Sequence, residues 1–204
     1  MPLYKKTEET NFAIGIWKIE EDLPFFEALF HGHPEIASEK KRLQWFASRH
    51  LANLMLGMPD IIVNDETGKP NFKSSAINIS ISHTVGFAAV ILSKHCAVGV
   101  DVEAVVPKIE RIAHKFLTED EIAAIPADEK TAKLILYWSA KESLYKLYGW
   151  GALEFKTQLL IEPFVLQQSG ILKADIITPH LPLKNLTVYY EFFEGHVMTW
   201  VASA

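Results

Sequence analysis

The sequence predicts an α+β fold, with helices and mostly antiparallel strands mixed along the chain. Short runs of alternating apolar and polar residues occur in both halves, a pattern typical of strands that bury one face. Longer stretches place apolar residues at helical spacing. Because strands and helices follow one another in mixed order, we expect small antiparallel sheets packed with helices.

Length and composition favour one compact unit over residues 1–204. Of the 204 residues, 49% are hydrophobic and 22% are charged, which is the balance of an ordinary globular protein with a sizeable core. No linker rich in glycine, serine or proline and no long repeat interrupts the chain.

In the first half, the pattern predicts a strand, a helical stretch and a hairpin. The alternating segment AIGIWKI is the strand, and the segment from PFFEALF to Met58 has helical spacing. Residues 65–70 are rich in turn formers. Ile77, Ile79 and Ile81 alternate with polar residues, and an apolar run at 87–92 follows a predicted loop at 83–86, which together predict a β-hairpin.

The second half begins with a predicted strand at 98–103, where valines alternate with Gly99, Asp101 and Glu103. Thr118 and Glu121 form a predicted capping box, and a long helix is expected from about Asp128 to Tyr148, ending at Gly149. Three further strand-like runs follow at 159–166, 186–193 and 197–202.

Charge and cysteine content narrow the function classes. The net charge of -5 disfavours general nucleic-acid binding, which needs a broad basic surface. The single cysteine, Cys96, indicates a reducing compartment. No signal-peptide pattern and no apolar run long enough to span a membrane is present. We therefore expect a cytoplasmic protein with no nucleic-acid or membrane partner.

Three groups of residues could carry chemistry. Asp101 and Glu103 lie two apart on one strand, so both carboxylates project from one face, about 7 Å apart at the backbone. At about 6 Å such charges repel by about 3 kcal/mol at an effective dielectric near 20. A cation between them is therefore expected, and Mg²⁺ suits carboxylate ligands. A solvent-facing strand or a salt bridge to lysine remains the alternative.

The long helix carries the second group. Lys141 lies near the centre of its apolar stripe, which is costly unless the ammonium reaches solvent or an anion. Glu142 and Lys146 share one flank at i, i+4, a spacing that is also common on solvated helix faces.

The third group is basic. Five basic side chains lie within eleven residues of the first predicted helix, either as a solvated face or as an anion site. Taken singly, His83 in the hairpin loop and Lys69 in the turn are first explained by simple exposure to solvent. The five basic side chains of the first predicted helix are Lys40, Lys41, Arg42, Arg49 and His50.

Taken together, these segments resemble the signature of 4'-phosphopantetheinyl transferases. The strand Gly99–Glu103 is followed by Trp138–Lys146 at the family's order and spacing. Gly68–Pro70 and Ser82–Thr84 resemble the two further coenzyme A motifs, and Ser38–Arg42 resembles the basic N-terminal helix. The N-terminal half makes the chain similar to the long, Sfp-like type.

The resemblance implies a reaction and its cofactor. The enzyme would transfer the 4'-phosphopantetheine group of coenzyme A to a serine of an apo acyl or peptidyl carrier protein, releasing adenosine 3',5'-bisphosphate. Asp101, Glu103 and Glu142 would hold Mg²⁺, and Glu142, or a water that it orients, would deprotonate the serine. Glu142, Asp101 and Lys146 would be the catalytic residues.

The resemblance also implies a coenzyme A site. Lys141 and Lys146 would contact its phosphates, and His83 and Lys69 would bind the 3'-phosphate and adenosine region. The same likeness implies two similar halves, about 1–98 and 99–204, that form the 4'-phosphopantetheinyl transferase fold as a monomer, with the active site between them. Further coenzyme A contacts would come from Ser82, Thr84, Arg42 and Arg49.

Two other functions stay open on the sequence. A coenzyme A or nucleotide-binding module would keep the pocket without activity, although the complete set of Asp101, Glu103, Glu142 and Lys146 argues against it. A magnesium-dependent phosphohydrolase would use water in place of the carrier serine.

Overall fold

The computed structural model describes residues 3–30, 35–179 and 181–203. The chain divides into two compact units, and the division falls between Val98 and Gly99. Each unit combines strands with helices, and each contains antiparallel strand pairs. The predicted α+β class is therefore confirmed.

The first unit contains a four-stranded sheet in the order β1-β2-β6-β5 and a two-stranded sheet of β3 and β4. Its elements are β1 (Leu3–Glu8), β2 (Ala13–Lys18), α1 (Leu23–Glu27), α2 (Glu39–Leu56), β3 (Ile62–Asn64), β4 (Pro70–Phe72), β5 (Asn78–Thr84) and β6 (Phe87–Ser93). Strand β6 is buried along its whole length, because it lies in the middle of the sheet and α2 packs against it.

The core of the first unit forms where α2 meets the sheet. Phe46, Leu51 and Ala52 of α2 are fully buried and pack in one cluster with Val90 of β6. The ring of Phe26 stacks on Phe46 with centroids 6.4 Å apart. A fully buried aromatic side chain contributes about 1.5–3 kcal/mol, so these contacts hold α2 firmly against the sheet.

The helical stretch predicted from residue 24 to Met58 consists of two helices. A new helix begins at Ser38, whose hydroxyl accepts the backbone N–H of Lys41 at 3.5 Å. It ends at Gly57, whose φ of 80° is left-handed and suits a residue without Cβ. Periodicity extends through both helices and therefore did not show the break.

The hairpin of β5 and β6 has a shorter turn than predicted. Thr84 pairs with Phe87, so only Val85 and Gly86 form the turn, and Gly86 has a φ of +82°. His83 and Thr84, which the sequence placed in the loop, therefore belong to β5.

The second unit contains a five-stranded sheet in the order β7-β11-β10-β9-β8. Its elements are β7 (Ala97–Ala104), α3 (Glu119–Ala123), α4 (Lys130–Tyr148), β8 (Leu159–Ile161), β9 (Ser169–Ile176), β10 (Leu183–Phe193) and β11 (His196–Ser203). The capping box of Thr118 and Glu121 is confirmed, with both of its hydrogen bonds present. Gly149 ends α4 at a φ of 67°, as predicted.

Helix α4 packs on this sheet through buried hydroxyl groups as well as apolar side chains. Thr199 of β11 donates to the carbonyl of Ser139 at 2.8 Å, and its oxygen lies 3.2 Å from the Ser143 hydroxyl. All three residues are fully buried. A buried polar group without a hydrogen-bond partner costs free energy. These bonds therefore fix the position of α4 along β11.

No helix in residues 3–30, 35–179 and 181–203 is both long and apolar enough to cross a membrane.

Candidate active site

The site is built where β7 passes directly beneath α4. Gly99 makes this approach possible, because a Cβ at this position would lie 1.9 Å from the carbonyl oxygen of Ser143 and 2.8 Å from the backbone nitrogen of Leu147. Any larger residue would push strand and helix apart. Since Asp101 and Glu103 follow Gly99 on β7, the same contact brings both carboxylates to α4.

An ion pair joins the strand to the helix. The Lys146 ammonium of α4 donates to Oδ1 of Asp101 at 2.8 Å and to the carbonyl of Val100 at 3.1 Å. Asp101 is 3% exposed, so its charge is largely removed from water. Lys146 partly compensates for that lost hydration, because a buried carboxylate is tolerated only with a cation or several donors nearby.

Glu103 accepts a hydrogen bond from an aromatic side chain. The indole Nε1 of Trp138 donates to Glu103 Oε1 at 3.0 Å. Burial, and next the charge of Asp101, raise the pKa of Glu103 to about 7. The hydrogen bond from Trp138 and the charge of Lys146 act in the opposite direction. Glu103 therefore loses its proton less readily than an exposed carboxyl group.

Glu142 completes the acidic set from α4. Burial, followed by the charge of Asp101, raises the pKa of Glu142, while Lys146 lowers it. Three carboxylates therefore share the surroundings of one ammonium. Repulsion of this kind is relieved by protonation or by a further cation.

The donor set suits Mg²⁺, which prefers carboxylate oxygens. Within the described residues, no three His, Cys, Asp or Glu side chains lie close enough together to hold a metal ion as they stand. Asp101 is bonded to Lys146 and Glu103 to Trp138. A metal bound by Asp101, Glu103 and Glu142 would require these side chains to reorient.

Lys141 lies in the interior of the second unit. Its side chain has 0% exposure, and its ammonium donates to the carbonyls of Phe116 and Phe155, each at 2.7 Å. Burial lowers its pKa to about 8, so the ammonium is mostly protonated at pH 7. The apolar stripe correctly placed this residue on the buried face, but the carbonyls that receive it come from segments distant in sequence. Its contact with coenzyme A stays a prediction.

The basic residues of α2 lie in the first unit. The guanidinium of Arg49 lies 4.2 Å from the Trp45 ring centre and donates to the Trp45 carbonyl at 3.4 Å. Burial lowers its pKa to about 10, which leaves it charged at neutral pH. The Nε atoms of Arg42 and Arg49 are buried without a hydrogen-bond partner. Two such donors favour an anion at this face of α2.

The end of β5 is attached to α2. Gln44 of α2 donates through Nε2 to the carbonyl of Thr84 at 2.7 Å. Ser82 is buried, Thr84 half-buried and His83 exposed. The structure thus places the Ser82–Thr84 segment beside α2.

Lys69 is held by a compact turn between β3 and β4. Asp65 Oδ1 accepts the backbone N–H groups of Thr67 and Lys69 at 2.9 and 3.0 Å, and Oδ2 accepts from Asn71 at 3.1 Å. Burial lowers the pKa of Lys69, and the Asp65 charge raises it. Strand β4 packs beside β5, which carries the Ser82–Thr84 segment.

Sequence reasoning missed the residues that position the others. Trp138 was part of a motif but had no assigned role, and neither had Gln44 or Asp65. Gly99 was part of the motif, but its close contact with α4 was not expected. Alternation of apolar residues reveals which side chains are buried, whereas these four act through contacts with distant backbone or side-chain atoms.

The site thus consists of three carboxylates and a lysine, which are presented by one strand and one helix. The model of the 4'-phosphopantetheinyl transferase superfamily (ACPS) matches residues 97–199, half of the chain and nearly all of the second unit. The protein belongs to this superfamily. Two relatives named 4'-phosphopantetheinyl transferase AcpT, from Salmonella typhimurium strain LT2 and Salmonella typhi, are 29% and 28% identical to it over 118 residues. The match covers 55% of this chain and 62% of each relative, so the chain spans less than two thirds of their length.

Proposed function

We propose that the protein transfers the 4'-phosphopantetheine group of coenzyme A to a serine of an apo acyl or peptidyl carrier protein. The observation that carries the proposal is the grouping of Asp101, Glu103, Glu142 and Lys146 on β7 and α4. These residues lie inside the segment that the superfamily model matches.

In this reaction the serine hydroxyl oxygen attacks the β-phosphorus of coenzyme A. A new phosphorus–oxygen bond forms as the pyrophosphate bond breaks, and adenosine 3',5'-bisphosphate leaves. Glu142, or a water that it orients, accepts the serine proton. In the absence of a cation, burial raises the pKa of Glu142.

Mg²⁺ would be held by Asp101, Glu103 and Glu142 together with the pyrophosphate. When bound, it supplies positive charge that offsets the three carboxylates and stabilises charge developing on the leaving phosphate. Lys146, which donates to Asp101 in this structure, would donate to a phosphate oxygen of coenzyme A. The raised pKa values of Glu103 and Glu142 support a site that favours an added cation.

The first unit would supply coenzyme A contacts of its own. Arg42, Arg49 and Lys69 supply cationic groups, and the buried Nε atoms of both arginines support an anion there. Ser82, His83 and Thr84 would assist at the 3'-phosphate and adenosine region. The resemblance also implies that Lys141 contacts coenzyme A, but the burial of the Lys141 side chain argues against this role.

The test is to incubate the protein with Mg²⁺, coenzyme A and an apo carrier protein and to weigh the carrier by mass spectrometry. We expect the carrier to gain one phosphopantetheine group. Coenzyme A breakdown without carrier modification would instead indicate the phosphohydrolase, and binding without turnover the coenzyme A module.

A matched pair of variants connects the activity to the site. Glu142→Gln removes the carboxylate with little change of volume and is expected to abolish transfer. Glu162→Gln makes the same change at an exposed position of the second unit and should leave transfer unchanged. Equal activity of the two variants would disprove the role of Glu142.

We further propose that the chain is of the Sfp-like type and acts as a cytoplasmic monomer. The N-terminal unit with its own sheet and basic helix supports this type, and the buried free thiol of Cys96 is compatible with a reducing compartment. Light scattering should give a mass near 23.0 kDa, and two- or threefold that value would contradict the monomer.

A further inference from the structure

Lys141 connects two segments of the second unit that are distant in sequence. The carbonyl of Phe116 precedes α3, and the carbonyl of Phe155 follows α4. Both accept from the same ammonium at 2.7 Å. Charge-assisted hydrogen bonds of this length are about twice as strong as neutral ones, so Lys141 fixes the position of both segments.

The side chains of those two segments contact one tryptophan. The ring centroids of Phe116 and Phe155 lie 5.3 and 5.5 Å from that of Trp138, at interplanar angles of 57° and 30°. Aromatic pairs at these distances have preferred geometries, so the two rings restrict the orientation of the indole. The indole N–H is the group that donates to Glu103.

We propose that Lys141 is a positioning residue, which holds Phe116 and Phe155 against Trp138 so that the indole directs the Glu103 carboxylate. Its connection to metal binding rests on the proposed function. The contacts of Lys141 and Trp138 themselves do not.

This role differs from a contact with coenzyme A phosphates. An ammonium with no exposure that already donates to two carbonyls is poorly placed to reach a ligand. Partners that orient a metal ligand affect metal affinity, commonly by about 10–100-fold. Loss of a phosphate contact would instead weaken the binding of coenzyme A.

The first experiment follows the Trp138 indole N–H by NMR in the protein without ligands. Trp138→Phe assigns the signal by its disappearance. Lys141→Met is expected to shift it and to accelerate its exchange with water, since the rings that restrict the indole are released. An unchanged indole signal in a folded Lys141→Met protein would overturn the proposal whether or not the protein is a transferase.

The second experiment measures affinity for Mn²⁺, used as a paramagnetic substitute for Mg²⁺, by electron paramagnetic resonance with coenzyme A present. Trp138→Phe keeps a ring between its neighbours but removes the donor to Glu103, and a loss of about tenfold in affinity is expected. Trp200→Phe is the matched control, because Trp200 stacks on Tyr189 in the sheet. Equal affinity of the two variants would also overturn the proposal.

Kinetics separate the two roles of Lys141. Positioning predicts that Lys141→Met needs more Mg²⁺ for half-maximal rate while KM for coenzyme A stays within about twofold. The opposite result, a raised KM for coenzyme A with unchanged metal dependence, would assign Lys141 to the phosphates. If wild-type protein binds no Mn²⁺, the proposed function fails, and the indole experiment still decides the contacts of Lys141.

Discussion

Single residues determine where the carboxylates of this protein lie. At Gly99 the absence of a Cβ lets β7 touch the backbone of α4, and at Lys146 one ammonium serves both Asp101 and the carbonyl of Val100. Spacing along the sequence predicted that Asp101 and Glu103 share a face. The contact with Trp138, 35 residues from Glu103, could not be predicted from spacing.

Gly99→Ala should destabilise the protein by about 3 kcal/mol, because its Cβ meets a backbone carbonyl that cannot move without displacing α4. Gly15→Ala is the control, since the nearest atom there is the flexible Met55 sulfur, and it should cost about 1 kcal/mol or less. Urea unfolding of both variants measures the difference. Equal stabilities would show that β7 and α4 separate without cost.

Lys146→Met should lower kcat for carrier modification by about 100-fold, the usual effect of losing one charge-stabilising donor. It also leaves Asp101 buried without its ammonium. Lys173→Met removes an exposed lysine on β9 and should have no effect. Transfer by the Lys146 variant at the wild-type rate would contradict its assignment to the phosphate.

At the scale of helices and strands, local sequence patterns predicted which elements form better than they predicted the residues at which those elements begin and end. Alternation predicted β2, the β5–β6 hairpin and β7, and the capping box predicted α3. Strand β9 was missed, although Leu172, Ala174 and Ile176 alternate with exposed or half-buried residues. The strand at 159–166 ends already at Ile161, two residues before Pro163, which cannot donate to a strand partner.

The turn between β3 and β4 makes a prediction of its own. Asp65→Ala removes the acceptor that holds the backbone of Thr67 and Lys69, so Lys69 loses its fixed position. KM for coenzyme A should rise several-fold while kcat stays near the wild-type value. Glu66→Ala, a neighbouring exposed carboxylate, is the control. An unchanged KM in Asp65→Ala would mean that the turn does not orient a coenzyme A ligand.

For the whole molecule, the sequence predicted the α+β class from composition and periodicity, and four motifs in order indicated the superfamily. The acidic set lies in the second unit, and the basic groups of α2 and the Lys69 turn lie in the first. Contacts such as those of Lys141 could not be predicted from the sequence, because a lysine on a buried helix face does not show which backbone carbonyls its ammonium will bond.

Ligand binding should stabilise the protein, because a ligand that binds only the folded state favours that state. At 100 times the dissociation constant, a ligand raises the free energy of unfolding by about 2.7 kcal/mol. We expect calorimetry to show a higher Tm with coenzyme A and a further rise with Mg²⁺. Asp101→Asn should lose only the magnesium increment. A magnesium increment retained in that variant would place the metal elsewhere.

The single cysteine offers a chemical probe that does not modify any of the candidate site residues. Cys96 is 5% exposed and belongs to the first unit, where its backbone N–H donates to the Ser93 hydroxyl and that hydroxyl donates to the carbonyl of Asn11. An alkylating reagent can modify the thiol only when this part of the chain opens. The labelling rate therefore reports the opening of the chain around Cys96, and the Trp138 indole signal reports on the second unit.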